Sequence, residues 1–124
     1  MRRETILPNG IERGLIAAAD TEIITASVLE YFGIGIDELR LRNRAHKVLI
    51  PRHYIHYFNS VTGTSLREIG IITLLDHASV IRSREIIEAW MQTDKHFRAQ
   101  TYAIAQLIIN NHLLKQTKNE STDL

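Results

Sequence analysis

The stretch TSLREIGIITLLDHASVIRSREIIEAWM, from Thr64 to Met91, restricts the fold of this chain more than any other segment. Ser65 and Glu68 form an S-x-x-E capping box, which is typical of a helix start. Asp76 is a natural N-cap for a second helix that follows a tight turn. A helix-turn-helix presents short polar residues at the exposed start of its second helix to base edges in the DNA major groove. The pattern therefore predicts a helix-turn-helix and favours DNA binding.

Length and composition predict one small soluble domain. The chain has 124 residues, of which 44% are hydrophobic, and it has no cysteine. A chain of this size can bury one core, and without cysteine it forms neither a disulfide framework nor a thiolate metal site. The start MRRETILPNG lacks the apolar segment of a secretory signal, and no apolar run reaches the roughly 20 residues of a membrane-spanning helix. We expect a cytoplasmic protein without a membrane partner.

Helical periodicity runs along almost the whole chain, and no segment alternates convincingly like a strand. The expected fold class is all-α, a bundle of roughly five to six helices that contains the helix-turn-helix. Outside that motif we expect a short helix at 11–19, a helix from Thr21 that stops at Gly33, a short turn from Asp37, a helix that starts at Pro51 and closes at Gly63, and a long last helix from Thr93 or Asp94 to about Lys115. In the helix after Pro51, we expect Tyr54, Ile55, Phe58 and Val61 to face the core and Arg52, His56 and Asn59 to share the other side.

These elements predict a simple division of the chain. Residues 1–20 form an N-terminal extension, and residues 21–92 form the helix-turn-helix domain. Residues 93–115 are the C-terminal helix of the same domain, and the polar tail 116–124 is expected to be disordered.

Positive charge is concentrated in one segment, although the net charge of the chain is only +1. The cluster consists of Arg40, Arg42, Arg44, Lys47 and Arg52, with His46, His53 and His56 among them. Such a patch on a near-neutral domain is typical of a phosphate-binding surface, and a solvated basic loop is the alternative.

Catalytic and metal chemistry are not expected. His53 and His56 lie one helical turn apart, but no carboxylate or third histidine at matching spacing completes a metal site. The chain has no G-x-x-x-x-G-K-[ST] phosphate loop, so no nucleotide is expected, and no Ser-His-Asp or paired-carboxylate arrangement is evident. We therefore expect a protein that is not an enzyme and holds no cofactor.

Six stretches, in this order and spacing, resemble the C-terminal DNA-binding domain of the bacterial replication initiator DnaA, which has a Trp-repressor-like helix-turn-helix. They are Glu30-Tyr31-Phe32-Gly33-Ile34, Asp37-Glu38-Leu39, the basic loop from Arg40 to Lys47, Pro51-Arg52-His53, Ser65 to Gly70, and Asp76-His77-Ala78-Ser79-Val80. The resemblance covers roughly residues 21–92. It implies double-stranded DNA as the partner and a domain that occurs here without the ATPase part of DnaA.

The resemblance also implies which residues contact DNA bases. Arg44 matches the loop arginine that enters the minor groove, where a guanidinium distinguishes mainly A·T from G·C. His77 would contact guanine or thymine, Asp76 would accept from cytosine or adenine, and Ala78 would offer a methyl contact. The alternatives are a solvated loop arginine for Arg44, a surface histidine for His77, and an N-cap for Asp76 that needs no DNA.

Seven residues are candidates for phosphate contacts, either by charge or by their place at a helix start. They are Arg42, Lys47, Arg52, His53, Thr64, Ser65 and Ser79. Any single one of them is an ordinary solvated side chain in most proteins, and the set as a whole carries the prediction.

The chain departs from the family pattern in three places. Thr73-Leu74-Leu75 replaces the family's Gly-Gly-Arg before Asp76, and the turn is one residue shorter. Ala78 lacks the hydroxyl of the family's threonine-like position, and the basic residue near the end of the helix after Pro51 is missing around Asn59 or Ser60. The alternative function is therefore a protein-interaction module that keeps the fold and has lost sequence-specific DNA binding.

The last helix carries two apolar stripes where packing on one small core requires one. Phe97, Ile104 and Ile108 form the first stripe, and Tyr102, Ala105 and Ile109 form the second. The second stripe predicts either a homodimer through the 94–115 helix or a cover formed by residues 1–20.

Overall fold

The computed structural model describes residues 3–41 and 45–122. In these ranges the chain forms seven α-helices and no strand, which confirms the all-α prediction. The helices are α1 (Arg13–Ala18), α2 (Thr21–Phe32), α3 (Ile36–Leu39), α4 (Ala45–Asn59), α5 (Leu66–Thr73), α6 (His77–Thr93) and α7 (Lys95–Thr122).

Helix α4 is the centre of the structure, with α2, α5 and α6 packed around it. Tyr54, Tyr57 and Phe58 on α4 are completely buried. The Tyr54 ring stacks on Phe58 and Phe97 with centroids 6.0 Å apart in both pairs. Its hydroxyl lies 2.8 Å from Thr101 Oγ1, which satisfies the one polar atom that this ring brings into the core.

Side-chain caps start the helices at the predicted positions. Ser65 Oγ accepts a hydrogen bond from the Glu68 backbone N–H at 3.2 Å, and Asp94 Oδ1 accepts from the His96 N–H at 2.8 Å. At the other end of α2, Gly33 has the left-handed φ of 67° that a C-terminal cap requires. Local sequence thus sets these helix ends directly.

The prediction that Pro51 starts a helix was wrong, because α4 already begins at Ala45 and holds Pro51 in its interior. Proline has no N–H to donate to the preceding turn, so an interior position weakens a helix unless packing compensates. Val48 in that preceding turn is completely buried, and Pro51 itself is buried. The end of α4 also differs from the expectation, since the helix stops at Asn59, before Gly63.

The expected polar side of α4 was also wrong in part. His56 and Asn59 are buried, and only Arg52 of that group remains partly exposed. Packing of α4 against both α5 and α6 leaves little of its circumference open to water. A buried polar side chain then needs a partner inside the protein.

The expected end of the last helix was wrong, because α7 continues to Thr122 instead of stopping near Lys115. Residues 116–122 contain neither glycine nor proline, so nothing in the sequence interrupts the hydrogen bonds of the preceding turns. Thr117 Oγ1 also donates to the Leu113 carbonyl at 3.0 Å.

The N-terminal segment is part of the core. Ile16 and Ala19 are buried and α1 packs against α7, where Ala105 and Ile109 of the second apolar stripe are buried as well. Ala105 and Ile109 are thus covered within one chain, where α7 packs against α1, α2 and α6, and this burial explains the observation that predicted a homodimer. Tyr102 alone in the stripe stays largely exposed.

Residues 3–6 are joined to α6 by Glu88, which is buried. One Glu88 oxygen accepts from Arg3 Nη1 at 2.9 Å and from the Ile6 backbone N–H at 2.7 Å, and the other accepts from Arg3 Nη2. Burial alone raises the pKa of a carboxyl group, but the hydrogen bonds from Arg3 and Ile6 outweigh it and lower the pKa of Glu88. No helix in the described ranges is long and apolar enough to cross a membrane.

Candidate nucleic-acid interface

The turn between α5 and α6 determines where the predicted recognition helix starts. Leu75 donates its N–H to the Gly70 carbonyl at 2.8 Å, and the Leu75 carbonyl lies so near Gly70 that a Cβ there would clash with it. Leu74 has a φ of 59°, the left-handed conformation in which side chains other than glycine are strained. This strained residue is the middle one of Thr73-Leu74-Leu75.

The first turn of α6 is exposed to solvent. Asp76 Oδ1 accepts from both the backbone N–H and the hydroxyl of Ser79, each at 2.9 Å. These hydrogen bonds, the backbone one first, lower the pKa of Asp76. His77 and Ala78 are exposed beside this cap, where a major-groove reader would have its base-contacting residues.

A chain of hydrogen bonds behind that first turn connects α4 to α5 and α6. Ser83 Oγ lies 2.8 Å from the Nδ1 atoms of both His53 and His56. His56 Nε2 lies 2.6 Å from Thr73 Oγ1, and Thr73 donates to the Gly70 carbonyl at 3.3 Å. Both histidine rings are buried, so they are not solvated surface groups.

One proton assignment satisfies all of these bonds with both rings neutral. Thr73 uses its proton on Gly70, so His56 Nε2 carries a proton and donates to Thr73. His56 Nδ1 then accepts from Ser83, whose oxygen accepts from His53 Nδ1–H. The network thus holds α6 against α4 without any ionised group.

Burial lowers the pKa of both histidines, because an imidazolium ion is poorly solvated in the interior. The pKa of His56 falls to about 4, since burial is reinforced by the nearby His53 and Arg52 and only weakly opposed by the Ser79 backbone. The pKa of His53 is lowered first by burial and then by Arg52 and Arg82.

His53 was predicted to contact phosphate, but its position is that of an internal hydrogen-bonding residue. Its Nδ1 is used by Ser83, its ring packs edge-on against Trp90 at 5.9 Å, and it is buried. Ser79 was also a phosphate candidate, but its hydroxyl proton is used on Asp76. Neither His53 Nδ1 nor the Ser79 hydroxyl therefore has a free proton for a phosphate.

Two further phosphate candidates, Arg52 and Lys47, have partners within the protein and differ in how strongly they are held. Arg52 donates from Nε to the Leu39 carbonyl and from Nη2 to the Leu41 carbonyl, both at 2.8 Å, and burial lowers its pKa. Lys47 is largely exposed and forms an ion pair of 2.9 Å with Glu38. Of the two, Lys47 is free to exchange its partner for a phosphate at little cost.

The start of α5 supplies one available hydroxyl. Ser65 Oγ accepts from Glu68, so its own proton is not used in that bond. Thr64 has its Oγ1 2.6 Å from that of Thr62, and since Thr62 donates to the Asn59 carbonyl, the Thr64 proton is used on Thr62. Ser65 is the stronger phosphate candidate of the two.

Arg42 and Arg44, the candidates for the phosphate and minor-groove contacts, lie outside the described residues, as does the side chain of His46. Their roles stay predictions.

Two more arginines lie near the turn and the start of α6: Arg82, which the sequence analysis did not name, and Arg40, which it named only as part of the basic cluster. Arg82 is exposed on α6, four residues after Ala78 and therefore on the same face. It lines a cavity of about 160 Å³ together with Arg52, Leu75 and Ser79. Arg40 is exposed and donates to the Ile72 carbonyl at 3.1 Å. The four-residue spacing from Ala78 was a signal that could have identified Arg82.

No group of three potential metal ligands comes together within the ranges 3–41 and 45–122. His53 and His56 direct their Nδ1 atoms at the same serine hydroxyl.

Comparisons with known proteins agree with this geometry. The bacterial dnaA protein helix-turn-helix family matches residues 21–87. The chain is 33% identical over 105 residues to the chromosomal replication initiator protein DnaA of Chloroflexus aggregans, an alignment that covers 83% of this chain and 21% of that protein. It is 33% identical over 89 residues to the protein of the same name from Lacticaseibacillus casei, covering 70% of this chain and 20% of that protein.

The chain thus spans about a fifth of the length of these relatives. No solved structure matches it. With more than half of its residues inside the match and the turn, caps and exposed helix start in the expected order, the chain belongs to the bacterial dnaA protein helix-turn-helix family.

Proposed function

We propose that this chain binds double-stranded DNA with a sequence preference, through the first turn of α6 in the major groove. The single observation that carries the proposal is the exposed pair His77 and Ala78, which has solvent in front of it and the neutral histidine network behind it. A base-reading helix needs this combination of an open first turn and a rigid support.

Phosphate contacts would come from the surface around that turn. Lys47, Arg82 and Ser65 are accessible in the described ranges, and Arg42 would extend the surface. Arg44 would enter the minor groove beside it, as in the family. Asp76 would act mainly as the cap that orients His77, because Ser79 already uses its Oδ1 twice.

The biological role that fits best is regulation of replication or transcription, or a function in a mobile element. The matched relatives are replication initiator proteins, and the part of them that this chain spans corresponds to the family's helix-turn-helix. The chain has no phosphate-loop motif, so we propose no nucleotide-driven step for it.

A protein-interaction module is the second candidate, and one observation favours it. A mainly apolar groove of about 400 Å³ lies between α2, α3 and α5, where Ile71 is 58% exposed. Apolar side chains in such a groove are typical of protein contacts. The α7 surface that had suggested a partner is covered.

Selection from random duplex DNA, followed by titration of the selected site at several salt concentrations, distinguishes the two functions. Each phosphate that a cation neutralises contributes about −0.9 to the slope of log affinity against log salt. A selected motif and a slope of about −3 or steeper support DNA binding. A chain that enriches no motif and binds no duplex at low salt is an interaction module.

A further inference from the structure

A polar cavity of about 390 Å³ lies between the N-terminal segment, α1, the residues after α4, and α6. Its polar lining includes Arg3, Arg13 and Arg84, together with the hydroxyls of Thr5 and Ser60. It shares no lining residue with the cavity behind the α6 start. The two cavities are therefore separate sites.

Arg84 is the unusual residue of this cavity. Arg84 is only 9% exposed, and its Nε is buried without a hydrogen-bond acceptor among the described residues. Glu88, one helical turn later, is already held by Arg3 and the Ile6 N–H. The charge of Arg84 acts on Glu88 through space, but a buried N–H donor without an acceptor is costly, so an oxyanion that reached Arg84 Nε would satisfy that donor.

Two of the three arginines of the cavity already have carboxylate partners. Arg3 is paired with Glu88 and also has Glu85 nearby, and Arg13 Nε lies 3.8 Å from an oxygen of Glu4. Among the described residues, Arg84 is the arginine of this cavity that forms no ion pair with a carboxylate. The Glu4 side chain is 83% exposed, so water screens it and it is free to turn away from an incoming anion.

The hydroxyl protons of Thr5 and Ser60 are already used in hydrogen bonds within the protein. Ser60 donates to the Tyr57 carbonyl at 2.6 Å, so in its 2.7 Å contact with Thr5 it accepts the Thr5 proton. Arg3 donates to Glu88 from both Nη atoms and Arg13 Nη2 donates to the Thr5 carbonyl, so the donors left for a ligand are the N–H groups of Arg84 and the remaining ones of Arg13. Guanidinium forks match the oxygens of phosphate groups and form charge-assisted hydrogen bonds with them.

We propose that this cavity is an oxyanion site that takes a phosphate group, with Arg84 as its principal ligand and Arg13 as the second. The phosphate comes either from free phosphate in solution or from a nucleic-acid backbone. The observations that support this site are the cavity and the buried Arg84 Nε without an acceptor. The site does not depend on the contacts proposed for the start of α6.

The test uses the full chain, with inorganic phosphate titrated against chloride at constant ionic strength and thermal unfolding as the readout. At ten times its dissociation constant, phosphate bound only by the native state shifts the folding equilibrium about tenfold. Arg84→Met should abolish this response, and its own unfolding temperature in chloride is the baseline against which its response is measured. Arg84→Lys should keep a weaker response.

Arg67→Gln is the matched control, because Arg67 is exposed on α5 and does not line the cavity, and it should respond like the wild type. If Arg84→Met does not fold, the comparison of the wild type with Arg84→Lys decides the matter. A wild type that responds no more to phosphate than to chloride, or a variant of Arg84 that responds as fully as the wild type, overturns the proposal of a free-phosphate site.

A second arm separates the two sources of phosphate. If the site takes a backbone phosphate, Arg84→Met or Arg84→Lys should reduce the salt slope of duplex binding, by about 0.9 for the loss of one contact. An unchanged slope with a lost phosphate response identifies the free anion. If neither readout changes, the oxyanion site does not exist. A wild type that binds no duplex contradicts the proposed DNA function, while the phosphate titration still decides the cavity.

Discussion

His56 and Thr73 are joined by a 2.6 Å hydrogen bond between Nε2 and Oγ1, which connects the central helix α4 to the last residue of α5. The bond is formed with a neutral ring, and so is the contact of His56 Nδ1 with Ser83. A second proton on His56 would turn Nδ1 into a donor, and Ser83 would then lose the acceptor for its own proton.

Stability should therefore fall as the pH drops below about 6.5, the ordinary histidine value. The native pKa of His56 is about 4, so between these values the unfolded chain binds more protons than the native one. Through His56 alone, the free energy of unfolding should be roughly 3 kcal/mol lower at pH 4 than at neutral pH. Urea unfolding at pH 7.5, 6, 5 and 4 measures it.

His56→Gln provides the comparison for this pH series. The variant should be less stable at pH 7.5 and should show a shallower decline between pH 6.5 and 4.5. Glu88, with a lowered pKa, contributes to stability above its unfolded value near 4.3 and loses that contribution only at lower pH. Equal declines in the wild type and His56→Gln would mean that another group is responsible.

Gly70→Ala should destabilise the protein by about 1–3 kcal/mol, because the new Cβ meets the Leu75 carbonyl, which cannot move without shifting the turn. Gly14→Ala is the control: α1 has open space at Gly14, and alanine should stabilise the helix by about 0.5–1 kcal/mol. Denaturant midpoints of both variants test the pair. Equal effects at the two sites would show that the turn adapts freely.

Leu74→Gly should stabilise the protein by up to about 1 kcal/mol, because it relieves the left-handed strain while the greater freedom of glycine in the unfolded chain offsets part of the gain. Leu74 is 61% exposed, so little packing is lost. Leu114 is also 61% exposed but lies in the interior of α7. Leu114→Gly should therefore lower the free energy of unfolding by about 1 kcal/mol. If Leu74→Gly also lowered the free energy of unfolding, the contacts of the Leu74 side chain would stabilise the protein by more than the backbone strain destabilises it.

Ile109→Glu should unfold a monomer instead of separating a dimer, because Ile109 is only 7% exposed within one chain. A carboxylate buried there without a partner costs several kcal/mol. Leu113→Glu, one turn later and 44% exposed, should be tolerated. Light scattering and circular dichroism read out both variants. A folded, monomeric Ile109→Glu from a dimeric wild type would restore the dimer interpretation.

His77→Ala should weaken binding to a selected DNA site by about 1–3 kcal/mol and leave binding to scrambled DNA nearly unchanged. Arg82→Gln should weaken both equally and reduce the salt slope by about 0.9 if it meets a phosphate. Fluorescence anisotropy on the two duplexes separates these patterns. If His77→Ala weakens binding to scrambled DNA as much as binding to the selected site, His77 positions the helix and does not contact a base specifically.

Several features of this protein followed from short-range sequence patterns. The helix ends at Gly33, Ser65 and Asp76 were predictable because a cap acts within about one turn of the chain. The all-α class and the exposed start of α6 followed in the same way, from helical periodicity and from a polar first turn.

Tertiary structure alone decided the rest, because burial depends on elements that are distant in sequence. His53 and His56 looked like surface groups beside a basic loop, and became internal once α6 brought Ser83 within 2.8 Å of both. Pro51 lies inside α4, and the helical turn before it contains the buried Val48. Likewise, Ile109 is buried on α7, which packs against α1, α2 and α6. No local sequence pattern specifies that packing, because the hydrophobic effect depends on the area buried and is not directional.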